Sequence, residues 1–216
     1  MRPELVLFDC DGVLVDSERL TVAVEARVLT TLGWAMTEDE VVRRWMGRTG
    51  SAQVAEVAER LGPEVAERYD AESTAQVHRA FATELTEVDG ISTLVDRLEE
   101  AGVPFCVASS GTHTRMETTL GITGLDMRFR GRIFSATEVA RGKPAPDLFL
   151  HAAARMGAEP AGCVVIEDSP FGVRAGVAAG MRVLGYGGGL AAADALAEAG
   201  AEVFGHMSEV PALLGL

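Results

Sequence analysis

Leu5-Val6-Leu7-Phe8-Asp9-Cys10-Asp11-Gly12-Val13-Leu14-Val15-Asp16-Ser17 decides how the chain is read. Residues 4–8 form a near-continuous apolar run, the pattern of a parallel strand buried on both faces. The run ends in two aspartates one residue apart. Carboxylates at the C-terminal end of a strand sit where open α/β sheets bind ligands. Strand alternation points Asp9 and Asp11 to the same side as long as the chain stays extended. Gly12 then permits a tight turn and lets backbone amides approach an anion. An acid pair of this kind can divide the roles of nucleophile and general acid, although an Asx-type turn closing a strand would give the same string.

Outward from this stretch, short apolar runs recur at residues 103–108, 133–135, 164–166 and 182–186. Helical segments lie between them: 90–100 stopped by Gly102, 112–120 stopped by Gly121, 146–156 stopped by Gly157, and one opened by Ser169-Pro170 and stopped by Gly180. This alternation predicts a doubly wound, Rossmann-like α/β core with five parallel strands, formed by residues 1–16 and 83–216. Residues 17–82 break the rhythm and read as four helices: 18–32, 41–46 after a Thr37/Glu40 capping box, 51–61, and a long one opened by Pro63. Four helices with no strand between them suit an inserted cap domain better than a series of crossover helices.

Three more strand ends carry chemically useful residues. Ser109-Ser110-Gly111-Thr112 places hydroxyls before a helix, where they serve as N-caps or as part of a phosphate site. Gly142-Lys143-Pro144-Ala145-Pro146-Asp147 holds a lysine between prolines that stiffen its loop. Of the 19 basic residues, Lys143 is the single lysine. Drift toward arginine codons explains the other eighteen and makes the survivor conspicuous, because a compact ammonium fits where a planar guanidinium does not. Glu167-Asp168-Ser169 closes a strand with adjacent carboxylates, whose burial a divalent cation would offset.

Together and in this order, these four sites resemble the haloacid dehalogenase superfamily along the whole chain. Asp9 to Ser17 resembles its first motif, Ser109 its second, Lys143 in Gly-Lys-Pro-x-Pro-Asp its third, and Glu167-Asp168 its fourth. The helical insertion is similar to the cap of the β-phosphoglucomutase-like and phosphoglycolate-phosphatase-like branch. The resemblance implies a phosphatase in which Asp9 attacks phosphorus and forms an aspartyl-phosphate, while Asp11 serves as acid and then base. Ser109 and Lys143 would hold the phosphoryl oxygens, with Gly12 and Ser110 beside the substrate. Mg²⁺ would be held by Asp9, the Asp11 main-chain carbonyl and Asp168, with Glu167 as a ligand or a partner of one. The cap would set specificity. Arg48, in the turn after Arg43 and Arg44, is its candidate substrate contact, whereas Arg43 and Arg44 themselves suit a solvated helix C-terminus.

Departures from the family narrow the reaction. Thr21 stands where β-phosphoglucomutases carry a histidine, which argues against a phosphosugar mutase, the alternative closest in kind. The helical block contains no lysine for a Schiff base, as phosphonoacetaldehyde hydrolases require, and Asp11 argues against true dehalogenases. A phosphoacceptor signalling module shares the aspartate, hydroxyl and lysine but lacks the second acid and the cap. The spelling Phe-Asp-Cys-Asp-Gly is reminiscent of bacterial sugar and sugar-acid phosphatases. The expected substrate is therefore a small phosphorylated metabolite.

Charge and composition agree. A formal net charge of −13 with a pI of about 4.7 disfavours nucleic acid and anionic membranes as partners, so a phosphorylated substrate needs local positive charge. No apolar run approaches the ~18 residues of a membrane span, and residues 1–8 lack a signal-peptide pattern. Cys10, Cys106 and Cys163 each lie in or beside an apolar run and suit reduced, buried thiols. A cytoplasmic monomer or weak dimer is the expectation. His78, His113, His151 and His206 show no ligand spacing.

Overall fold

A computed structural model describes residues 2–45 and 50–216. The chain divides into two compact units, Met1–Asp16 with Thr86–Leu216, and Ser17–Leu85. The chain opens with β1 (Leu5–Phe8), every residue of which is buried. It then enters the helical unit: α1 (Ser17–Thr31), α2 (Glu38–Trp45), α3 (Gly50–Leu61) and α4 (Pro63–Glu84). α4 runs two residues beyond the expected boundary at 82. Thr37 and Glu40 form the expected capping box before α2: the Thr37 amide donates to Glu40 Oε2 at 2.8 Å, and the Glu40 amide to Thr37 Oγ1 at 3.2 Å. The unit's core contains the edge-on pair Trp34 and Trp45, centroids 5.8 Å apart, with Tyr69 beside Trp45 at 5.9 Å. The buried Trp45 donates its Nε1–H to Glu56 at 3.0 Å. Glu56 also pairs with Arg44, whose guanidinium lies over Trp34. Arg44 is thus engaged within its own unit.

The unit that β1 opened continues with α5 (Ile91–Ala101), β2 (Phe105–Ser109), α6 (His113–Thr123), α7 (Asp126–Phe129), β3 (Ile133–Ser135) and α8 (Asp147–Met156). β4 (Cys163–Glu167), α9 (Pro170–Ala178), β5 (Arg182–Tyr186), α10 (Ala193–Ala199), β6 (Glu202–Phe204) and α11 (Val210–Leu214) complete it. All strand pairings are parallel, in the order β3-β2-β1-β4-β5-β6. Among the described residues the sheet has six strands where five were expected. The sixth, β6, is a three-residue edge strand led by the exposed Glu202, so it lacks the apolar run that marks the buried ones. α6 also runs past Gly121 to Thr123. Gly124, at φ 77°, takes the left-handed C-cap position instead.

Phe8, Phe105 and Phe129 meet edge to face with centroids 5.2 to 6.4 Å apart, beneath the C-terminal end of β1. Each such pair adds ~0.5–1.5 kcal/mol beyond area burial and fixes the strand that carries Asp9. The chain leaves β1 for β2 on one side and later returns to β4 on the other. The resulting reversal of strand order opens a crevice at the C-terminal ends of β1 and β4. The three cysteines are free and buried, and among the described residues no helix is long and apolar enough to cross a membrane.

Candidate active site

Asp9 is the first residue beyond β1. Its amide still donates to the Ile166 carbonyl of β4 at 3.0 Å, so its side chain leaves the sheet from a fixed backbone. Lys143 Nζ lies 2.5 Å from Asp9 Oδ1 and 2.7 Å from Glu167 Oε1. The lysine side chain is only 5 % exposed, so water cannot substitute for either partner. Its loop is pinned from both ends. Arg141 pairs with Asp147 at 2.9 Å, and the Ala145 amide closes a turn onto Gly142 at 3.0 Å. The ammonium lies 4.8 Å from the Phe149 ring centroid, and the Lys143–Pro144 peptide is cis.

Electrostatics follow from this burial. Desolvation raises the Asp9 carboxyl above the ordinary carboxylate range. Lys143 pulls it back, while Glu167 and Asp11 push it further up. Burial alone would lower Lys143, but Asp9 and Glu167 outweigh it and hold the ammonium well above the usual lysine range. The Cys10 thiol is also pushed up, first by burial and then by Asp11 and Asp9, which leaves it protonated and a poor rival nucleophile.

Glu167 was expected as a metal ligand or a partner of one. Its Oε1 takes Lys143, and its Oε2 accepts from the Ser169 amide at 2.8 Å and hydroxyl at 2.9 Å. Both oxygens are engaged, and Oε1 helps to hold Lys143. Gly172 packs so tightly against this carboxylate that a methyl group there would overlap it. Asp168 goes elsewhere. A methyl group on Gly12 would overlap its carboxylate, so the 11–12 main chain lies directly against it, and a methyl on Gly189 would stand 3.5 Å away. Gly189, in the loop after β5, therefore borders this carboxylate. Among the described residues no group of three or more His, Cys, Asp or Glu side chains stands in metal-ligating geometry.

Gly12 adopts φ +81°, as a turn requires, but its amide donates to the Val15 carbonyl at 2.8 Å. It is not presented to an anion, contrary to expectation. What Gly12 supplies is the close approach to Asp168. Ser109 is buried, and its Oγ accepts from the Gly111 amide at 3.1 Å, which leaves its hydrogen to donate. Ser110 is exposed beside it, and Thr112 caps α6 by accepting from the Arg115 amide. Thr21 donates to the Ser17 carbonyl within α1. His113 and His151 both face Glu138, at 2.9 and 3.2 Å. Arg48 lies outside the described residues.

Extended alternation stops at Phe8, so Asp9 and Asp11 acquire different cations. Asp11 is gripped by Arg115, Nε to Oδ2 at 3.1 Å and Nη2 to Oδ1 at 3.0 Å. Sequence reasoning missed Arg115. The available signal was an arginine in the first turn of a helix, where the macrodipole disfavours a cation unless an anion faces it.

The sequence comparisons fit this geometry. Residues 6–186 match the haloacid dehalogenase-like hydrolase family. A 6-phosphogluconate phosphatase of Escherichia coli is 32% identical over 84% of this chain and 81% of its own. Among solved structures, a haloacid dehalogenase-like protein of Agrobacterium tumefaciens has a TM-score of 0.88 at 35% identity, covering 98% of this chain and 97% of that one. A family hydrolase from Deinococcus radiodurans, solved with phosphate and sodium, has a TM-score of 0.84 at 32% identity, covering 98% and 95%. With an aspartate-ended first strand in a parallel sheet and a match running through five of the six strands, the chain belongs to the haloacid dehalogenase-like hydrolases.

Proposed function

We propose that the chain is a Mg²⁺-dependent phosphatase acting on a small phosphomonoester, a sugar phosphate or sugar-acid phosphate, through an aspartyl-phosphate on Asp9. The observation that carries this reading is the buried ammonium of Lys143 held between Asp9 and Glu167. Such a group both orients a nucleophilic carboxylate and offers positive charge to an incoming phosphoryl group. The donor set suits magnesium. It consists of oxygens only, from the Asp9 and Asp168 carboxylates at adjacent strand ends and the Asp11 carbonyl, with Asp168 already against the Gly12 turn. Two carboxylates without a thiolate or imidazole leave most of the shell to water, which Mg²⁺ retains and Zn²⁺ does not. When bound, the ion supplies positive charge to the phosphoryl oxygens.

The chain's own residues do the rest. An Asp9 oxygen attacks phosphorus, the bond from phosphorus to the leaving oxygen breaks, and Asp11 gives that oxygen a proton. Water then attacks phosphorus and passes its proton to Asp11, while the bond from phosphorus to the Asp9 oxygen breaks, freeing inorganic phosphate and restoring the Asp9 carboxylate. Ser109 donates its hydroxyl hydrogen and Lys143 its ammonium to the transferring oxygens. The sugar-acid substrate class draws on the named activity of the E. coli relative.

The test is phosphate release from sugar phosphates, phosphoglycolate and phosphosugar acids, with Mg²⁺ and with chelator. Release from at least one of these, abolished by chelator and reduced at least ~100-fold in Asp9→Asn, is expected. Undiminished release by a folded Asp9→Asn protein would overturn the nucleophile.

A further inference from the structure

We propose that Arg115 positions Asp11 for proton transfer, setting the plane in which its carboxyl group meets the leaving oxygen. The inference rests on the acid–base reading of Asp11. The Asp11 backbone is fixed first: the Gly12 amide donates to Val15, and the Leu14 and Val15 amides donate to the Cys10 carbonyl at 2.9 and 3.1 Å. Backbone closure fixes the origin of the side chain and leaves its two torsions open. The arginine fork closes them, because a planar guanidinium meeting both oxygens at 3.0 and 3.1 Å sets the plane of the carboxylate.

Arg115 is itself on a rigid support. α6 buries Met116 and Leu120 completely and places Thr119 Oγ1 3.9 Å from Cys10 Sγ, beside the loop that carries Asp11. The position is poor for a merely structural arginine. It lies in the first turn of α6, where the helix dipole opposes a cation, and its side chain is still 38% exposed.

The test uses the full chain with Mg²⁺ and two substrates: the alkyl phosphate hydrolysed fastest in the screen above, and p-nitrophenyl phosphate. Arg115→Gln is expected to lower kcat on the alkyl phosphate about 10- to 100-fold, with KM changed by less than about threefold. The pre-steady-state burst of p-nitrophenolate should stay within about twofold of wild type, because that leaving group departs without a proton. Arg115→Lys should recover part of the loss, and it carries the test if the glutamine variant does not fold. Adding Arg115→Gln to Asp11→Asn should cost nothing further, since a residue acting through Asp11 has nothing left to orient. Multiplicative losses in the double variant, a burst that falls as far as kcat, or a rise in KM with unchanged kcat would each overturn the inference. An Asp11→Asn protein with undiminished turnover fails differently: it removes the acid–base role itself.

Discussion

Replacing Lys143 by methionine keeps the buried stem against Phe149 and removes only the ammonium. Two carboxylates then lose their cation together: Asp9, whose Oδ1 is 2.5 Å from Nζ, and Glu167, whose Oε1 is 2.7 Å away. The Glu167 side chain is 1% exposed, so solvent cannot take over. Breaking a buried ion pair from one side costs ~3–5 kcal/mol, and serving two anions places Lys143→Met at about the upper end, near 5 kcal/mol at pH 8. The loss should depend on pH with a definite sign. Burial already raises Asp9 in the folded chain, and removing Lys143, which pulls it down, raises it further. Between the ordinary carboxylate range and that raised value the folded chain binds more protons than the unfolded one, so stability increases as pH falls. At pH 5 the raised Asp9 is protonated and the cost of leaving it without its cation is gone, which should return roughly half the loss, about 2 kcal/mol. Urea unfolding of wild type and variant in EDTA at both pH values measures this, and phosphate release with Mg²⁺ should fall at least ~100-fold. A loss below about 1 kcal/mol at pH 8, or the same loss at pH 5, would refute the buried-pair reasoning.

In the helical unit, Glu25 is buried and its carboxyl is pushed up to about 7 from an ordinary 4.5, by desolvation that neighbouring Tyr69 only partly offsets. Its ionisation therefore weakens the fold as pH rises from 4.5 to 7, so Glu25→Gln should gain up to about 3 kcal/mol on wild type at pH 8 and nothing at pH 4. Equal urea midpoints for the two proteins at pH 8 would contradict this. Gly12→Ala and Gly33→Ala both force alanine into positive φ, at +81° and +97°, a strain of ~1–2 kcal/mol. Only the methyl at position 12 meets anything, the Asp168 carboxylate, while that at 33 meets nothing within 4 Å. Gly12→Ala should therefore be the more destabilised of the two and should lose phosphate release about tenfold or more, as Asp168 is displaced, whereas Gly33→Ala keeps wild-type turnover.

Much of the fold was legible because parallel strands buried on both faces are written as unbroken apolar runs ending in polar residues. Residues 4–8, 103–108 and 164–166 announce three of the four inner strands and with them the chemical end of the sheet. β6 was illegible for the converse reason: an edge strand is covered on fewer sides, and Glu202-Val203-Phe204 has no run to show. The site residues divide along a similar line. Lys143 stood out through residue type and loop, and both are local properties. Glu167 and Asp168 were read as a pair because they are adjacent, yet adjacency at a strand end implies the opposite. Neighbouring side chains leave opposite faces, so one carboxylate can reach Lys143 while the other packs on the Gly12 turn. Alternation, already used to infer strands, was sufficient to separate them. Arg115 is the harder case. Its partner lies 104 residues away, and no periodicity encodes a contact made by two side chains from a turn and a helix that meet only after folding. What sequence does preserve is the local oddity such a contact leaves behind, a cation where the helix dipole opposes one. An arginine in the first turn after a hydroxyl-rich strand end is thus a reason to look for a distant carboxylate, and in an acidic chain that carboxylate is to be sought first among the residues that do the chemistry.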